Sequence, residues 1–151
     1  VLKEASIMSS LKSPYLVRFY GVATPLRLVM EFVPCGDLYH LLHSEAHASL
    51  SLSMKLRLMV DIARAMNYLQ SISPPIIHRD LRSPNIFIQS LDVRALVCAK
   101  VADFGMSLQA FAPVQESLMA WQWLAPEVLK GEPYDSSSDV YSFGMVMYEI
   151  L

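Results

Sequence analysis

The sequence predicts an α+β fold in which a small strand-rich part precedes a larger helical part. Three observations predict it. Two runs rich in Val, Leu, Phe and Tyr, Leu16–Val22 and Leu26–Val33, come early in the chain. A break, Pro34-Cys35-Gly36-Asp37, follows them. Beyond the break, Ser53–Gln70 repeats its apolar residues at helical spacing. The junction of two such parts is where a ligand cleft is expected.

In Leu2–Leu11, the apolar Ile7, Met8 and Leu11 suit the end of a helix. Ser13-Pro14 stops it, because the residue before a proline avoids helical backbone. The two early runs read as an antiparallel strand pair joined by Ala23-Thr24-Pro25. Asp37 can cap a short helix through His43, its carboxylate accepting from amides of the first turn. In Ser53–Gln70 the apolar stripe is Leu56, Met59, Ile62, Ala63, Met66 and Leu69. Lys55, Arg57, Asp61 and Arg64 are expected on its polar faces. Pro74-Pro75 ends this helix. A loop, His78–Asn85, leads to a short strand, Ile86–Ile88, a turn, and a second strand, Leu96–Val101. Residues 103–127 have no clean period and read as a long ordered loop, a kind that is usually functional. Asp139–Leu151 is almost uncharged, which predicts a helix buried on most faces.

A chain of 151 residues is long enough for one domain with a sizeable core. The two cysteines, Cys35 and Cys98, exclude a small disulfide scaffold and fit a reducing compartment such as the cytoplasm. A hydrophobic fraction of 54% excludes intrinsic disorder. A formal net charge of −2 gives no reason to expect nucleic acid as a partner. The same apolar content raises the question of a membrane span. No run approaches the roughly 18 apolar residues a spanning helix needs, so no transmembrane segment is expected.

Three acidic groups sit in loops beside apolar strands: Asp80, Asp103 and Glu127. Asp80 and Asn85 flank one tight loop, and Asp103 opens the next after an intervening hairpin. The hairpin returns the chain, so these groups can converge. An Asp with an Asn carbonyl offers hard oxygen ligands for Mg²⁺, and a second Asp not committed to metal can accept a proton.

The order His78-Arg79-Asp80, Asn85, Asp103-Phe104-Gly105, Ala125-Pro126-Glu127, then Asp139-Val140-Tyr141-Ser142-Phe143-Gly144, resembles the eukaryotic protein kinases. The resemblance covers the whole chain. It implies a two-lobed kinase-like fold cut at both ends, from the helix the family calls αC to the one it calls αF. Residues 1–33 are then the remainder of the small lobe and the hinge, and residues 34–151 part of the large lobe. The wording of Met30–Tyr39, His78–Phe87 and Cys98–Gly105 resembles the kinase domain of Roco proteins, relatives of the leucine-rich-repeat kinases in the tyrosine-kinase-like group.

The resemblance implies roles position by position. Asp80 is the catalytic base, and Asn85 and Asp103 are the Mg²⁺ ligands. Arg82 either contacts the transferring phosphate or is a solvated loop charge. Met30 stands at the back of the adenine pocket, Glu31 and Val33 give it a backbone acceptor and donor, Phe87 floors it, and Asp37 belongs to the nucleotide site. Glu4 matches the glutamate that pairs with the lysine of the family's third strand, and Met8, Phe19, His78 and Phe104 form a regulatory apolar stack. Asp139 begins its helix and holds the backbone of His78 and Arg79, a role compatible with a plain N-cap. Glu127 normally pairs with a later arginine that these residues lack. Arg79 can receive a phosphorylated segment, for which Ser117, then Ser107, are the candidate sites.

The sequence also departs from the family. It contains no Gly-rich loop and no third-strand lysine, so these residues alone are expected to be inactive. Met119-Ala120 stands where serine/threonine kinases usually carry Gly-Thr, and Met106 follows the Asp-Phe-Gly triplet. The implied function is an ATP- and Mg²⁺-dependent kinase acting on protein serine or threonine. The alternatives are a pseudokinase that holds nucleotide without catalysis and an interaction segment that binds through exposed apolar surface. A Ras-like GTPase module in the same parent chain is implied by the Roco likeness alone.

Overall fold

The computed structural model describes residue 5 and residues 8–25, 27–45, 49–103 and 121–151. Expectations for Glu4, Phe104, Met106, Ser107, Ser117 and Met119-Ala120 lie outside the described residues. The elements run β1 (Phe19–Ala23), β2 (Arg27–Met30), α1 (Leu38–Leu42), α2 (Leu52–Ser71), β3 (Ile86–Ile88), β4 (Ala99–Val101), α3 (Pro126–Leu129) and α4 (Ser136–Ile150). Residue 5 and residues 8–10 are helical. The α+β reading holds, with strands early and helices dominating afterwards.

Each longer helix starts for a chemical reason. Asp37 caps α1, accepting from the His40 amide at 2.9 Å. Ser51 caps α2, accepting from the Met54 amide at 3.2 Å. Asp135 caps α4 and forms a capping box with Ser138. Such a cap is worth about 1 kcal/mol. Asp139 is therefore not the cap; it lies in the first turn of α4, where its carboxylate still meets the positive end of the helix.

Among the described residues there are two sheets, each antiparallel and two-stranded. The β1–β2 pair runs from Phe19 opposite Met30 to Ala23 opposite Arg27, with an irregularity between Phe19 and Gly21. The strand expected from Leu16 is divided. Leu16 and Val17 leave β1 and lie along β4 instead, where Val17 N donates to Val101 O at 2.9 Å and Val101 N to Tyr15 O at 2.9 Å. On its other side, β3 is tied to the chain after the break: Cys35 N donates to Ile88 O at 3.1 Å and Ile88 N to Gly36 O at 2.8 Å. Gly36 supplies the left-handed backbone that this turn needs, with φ of 74°. The β3–β4 hairpin is thus flanked by both ends of the small strand-rich part.

One core joins these parts. Leu58, Ile62, Ala65 and Leu69 of α2, Ile86 and Ile88 of β3, Ala99 and Val101 of β4, and Val146 and Ile150 of α4 have no exposed surface. Met8 is buried in this core and Phe19 packs against it. Two expectations for α2 fail. Leu56, placed in the apolar stripe, is half exposed, and Asp61, placed on a polar face, is fully buried. Asp61 is inside because it has partners there: Cys98 N donates to its Oδ2 at 2.7 Å, and Arg57 Nε lies 3.3 Å from its Oδ1. Where the sequence predicts a long loop over 103–127, the described residues at its end form a 3-10 turn at Trp121–Trp123 and the start of helix α3, which runs on to Leu129. Helix α4 is not buried on most faces, since Val140, Tyr141 and Tyr148 are exposed.

Candidate active site

The loop before β3 is held from below by α4. Asp139 accepts from His78 N at 2.8 Å through Oδ2 and from Arg79 N at 2.9 Å through Oδ1. Tyr134 adds its hydroxyl to Oδ1 at 3.2 Å. Burial, with the Asp139 charge next, pushes the Tyr134 hydroxyl far above its ordinary range. Arg79 sits at φ of 70°, a left-handed conformation that costs a non-glycine residue about 1–2 kcal/mol. The bond from its amide to a buried carboxylate offsets that cost.

His78 is fully buried. Its Nδ1 accepts from Asp80 N at 3.3 Å, which leaves the ring proton on Nε2, 3.0 Å from Ala102 O. Burial holds its pKa below the ordinary value against the opposing Asp139 charge, so the ring is neutral at neutral pH. The backbone on either side of this ring carries Asp80 and leads to Asp103.

Asp80 is half-buried at the mouth of the loop. Asn85 Nδ2 donates to its Oδ2 at 2.7 Å and to its backbone carbonyl at 2.8 Å. Arg82 Nε lies 3.0 Å from Asp80 Oδ1 as an ion pair, without hydrogen-bond alignment. Arg82 is therefore not the solvated loop charge; its side chain is mostly buried against the carboxylate. Burial raises the Asp80 pKa, and Arg82 and Asn85 only partly offset this. Asp103 also pushes it up, so the two carboxylates lie within electrostatic reach.

The hairpin brings Asp103 to that position. Ile86 pairs with Val101 in the β3–β4 register, and Ala102 N donates to Asn85 O at 2.9 Å. Asn85 and Asp103 therefore begin and end one hydrogen-bonded unit. Asp103 is exposed and sits at φ of 64°. Asn85 uses its amide nitrogen toward Asp80, so its side-chain acceptor is Oδ1. Asn85 Oδ1 and the Asp103 carboxylate are hard oxygen donors and fit Mg²⁺, which takes its remaining ligands from phosphate and water. Among the described residues no group of three or more His, Cys, Asp or Glu is placed to hold a metal ion.

The strand-rich part borders the same region. Val33, Val17 and Ala102 form a small buried cluster against which Phe87 packs. Met30 ends β2 and is partly exposed. Glu31 follows with both carboxylate oxygens engaged: Oε1 accepts from Lys100 Nζ, and Oε2 from Arg18 N at 3.1 Å. Burial pushes this carboxyl up, but the Lys100 ammonium and the Arg18 amide together outweigh it and hold the pKa below its ordinary value. The Asp37 carboxylate is occupied in capping α1 and in a 2.7 Å contact with His40 Nδ1. Glu127 accepts from Ser138 Oγ at 3.1 Å.

Several site residues escaped the sequence reading: Lys100, Ser83, Ser142, Tyr134 and Glu149. Ser83 Oγ donates to Glu149 Oε1 at 2.7 Å, and Ser142 Oγ to Trp123 O at 2.7 Å. The alternation in β4 could have flagged Lys100, since a cation between Ala99 and Val101 points away from the core. Nothing local marks Ser83 and Glu149, whose shared bond spans 66 residues, or the bond from Ser142 to Trp123 O across 19. Tyr134 has its partners, Asp139 and Ser142, only five and eight residues on, but a tyrosine ahead of a helix is ordinary in sequence.

Comparison with known proteins places this geometry in a family. The family model described as protein tyrosine and serine/threonine kinase matches residues 1–151. The chain belongs to that kinase family. More narrowly, it is 51% identical to the probable serine/threonine-protein kinase roco11 of Dictyostelium discoideum over 98% of the chain, and equally to the probable serine/threonine-protein kinase qkgA of the same organism. The serine/threonine-protein kinase CTR1 of Arabidopsis thaliana is 41% identical over 99% of the chain. The chain spans only 10%, 10% and 18% of the lengths of these relatives.

Proposed function

We propose that this chain is the core of a protein kinase that moves the γ-phosphoryl group of ATP onto serine or threonine hydroxyls of a protein. The observation that carries the reading is the Asp80–Asn85 pair, 2.7 Å apart, on a loop whose backbone is fixed by Asp139. Asp80 Oδ1 faces the cation of Arg82, and Oδ2 is held by Asn85. That leaves the carboxylate oriented to align a substrate hydroxyl and accept its proton, help worth roughly 10²–10⁴-fold. Arg82, already beside Asp80, is in reach of phosphate charge entering the cleft. Asn85 Oδ1 and Asp103 are the residues for Mg²⁺, which when bound neutralises phosphate charge. Met30, Glu31, Val33 and Phe87 border the adenine, the latter two through the apolar cluster with Val17 and Ala102.

The serine/threonine assignment is supported by the relatives, which are named serine/threonine-protein kinases. The Roco likeness supports a Ras-like GTPase module in the same parent chain, and the two free cysteines, Cys35 and Cys98, support a cytoplasmic location. No helix among the described residues is long and apolar enough to cross a membrane. Residues 1–33 act as the remainder of the small lobe and the hinge, and residues 34–151 as part of the large lobe. Ser117, ahead of Ser107, is the site whose phosphate Arg79 receives; phosphopeptide mapping of the active full-length protein should find it, and neither serine modified would refute the assignment.

The test is transfer of label from γ-labelled ATP to protein substrate by the full-length protein, followed by phosphoamino acid analysis. Labelled phosphoserine or phosphothreonine is the expected product. Phosphotyrosine alone would overturn the hydroxyl class. ATP binding with no label transferred would favour the pseudokinase reading.

A further inference from the structure

Glu149 lies in the last turn of α4 and divides its carboxylate between two segments. Oε1 accepts from the Ser83 hydroxyl at 2.7 Å, and Oε2 from the Trp123 indole N–H at 3.1 Å. Ser83 is fully buried and Trp123 nearly so. Ser83 opens the 3-10 turn Ser83–Asn85, whose last residue grips Asp80 through two bonds. Trp123 closes the turn that leads into α3, and its carbonyl is held by Ser142. Both donors are neutral and buried, so losing the shared acceptor leaves each with an unmet hydrogen bond. A carboxylate is one rigid plane. Satisfying both donors fixes its rotation, and removing either donor frees it against the other.

We propose that Glu149 is a positioning residue that couples the segment around Trp123 to the loop that carries Asp80. The carboxylate touches no reacting atom; it acts through Ser83, the short turn and Asn85. Its consequence for rate rests on the phosphotransfer reading of Asp80, whereas the coupling itself is a property of the loop.

Hydrogen–deuterium exchange on the full-length protein reads the coupling directly in peptides covering residues 78–88. Trp123→Phe keeps most of the ring and removes the N–H. It is expected to speed exchange there about tenfold, as loss of one hydrogen bond does. Glu149→Ala should do the same, and the double variant should add nothing further. Glu149→Gln keeps an oxygen for the indole N–H and offers an amide N–H that the Ser83 hydroxyl can accept, so it should recover most of the protection. In the transfer assay, Trp123→Phe and Glu149→Ala should lower kcat about tenfold with KM for ATP unchanged, and Glu149→Gln should restore it. Ser83→Ala cuts the same link from the other end and should speed exchange in peptides covering residues 121–129, which keeps the proposal testable if a larger change prevents folding. Unchanged exchange in the single variants, or additive effects in the double, would overturn it. Exchange that couples in a protein without transfer activity would sustain the coupling and remove the phosphotransfer reading instead.

Discussion

His78 and Asp80 are two residues apart, and burial acts on them in opposite directions. The imidazole is driven below its ordinary pKa and the carboxyl above its own, since each loses its charged form to desolvation. For His78 the sign is definite. A folded pKa below the unfolded value of 6.5 means that the unfolded chain binds the extra proton. The stability it contributes is fully present above pH 6.5 and is lost as pH falls from there toward the folded pKa. Pulse proteolysis in urea between pH 7.5 and 5.5 should show the domain weakening as pH falls, and weakening less steeply in His78→Phe. Equal pH slopes in the two proteins would contradict the buried neutral ring.

At the scale of elements, α2 and α4 act as racks for the strands and loops that carry the site. Asp61 of α2 is gripped by Arg57 and Arg64 and in turn holds the amides of Cys98 and Ala99, just where β4 begins. Removing one member of a buried charged group typically costs about 3–5 kcal/mol. Asp61→Ala should therefore lower the stability of the domain by about 3 kcal/mol, measured by the same proteolysis. A loss under about 0.5 kcal/mol, typical of a surface site, would contradict this.

The elements also show what the sequence could and could not convey. Cap chemistry and apolar period placed α1, α2 and β3 within a residue or two, because those signals are local. The burial of Asp61 was not legible, because its reason is a pair of amides 37 and 38 residues away. The division of Leu16–Val22 between two partners was hidden for the same cause: a run of β-formers does not say which strand it pairs with. In the candidate site, Asp80, Asn85 and Asp103 stood out through their motif order. Glu149 and Ser83 did not, since a helical Glu and a loop Ser are ordinary until the fold joins them.

For the whole molecule, the high apolar content takes two forms. Much of it fills the shared core, and part remains on the surface, where Phe32, Leu96 and Tyr148 are each more than three-quarters exposed. Leu52, Trp121 and Leu151 are also well exposed, and apolar surface that is left uncovered favours self-association where it is contiguous. The 151 residues expressed alone should therefore associate, and should incorporate no measurable phosphate from ATP, because they contain neither a Gly-rich loop nor the third-strand lysine. Phosphate incorporation by the isolated chain that disappears on Asp103→Asn would contradict that expectation.

The proposed role of Asp80 as base of a phosphotransfer centre is tested by Asp80→Asn in the full-length protein. ATP binding and phosphate transfer are measured side by side on the same preparation. ATP affinity should stay within about twofold of the parent, and the transfer rate should fall by roughly 10²–10⁴-fold. Transfer at the parent rate by the Asn variant would contradict it.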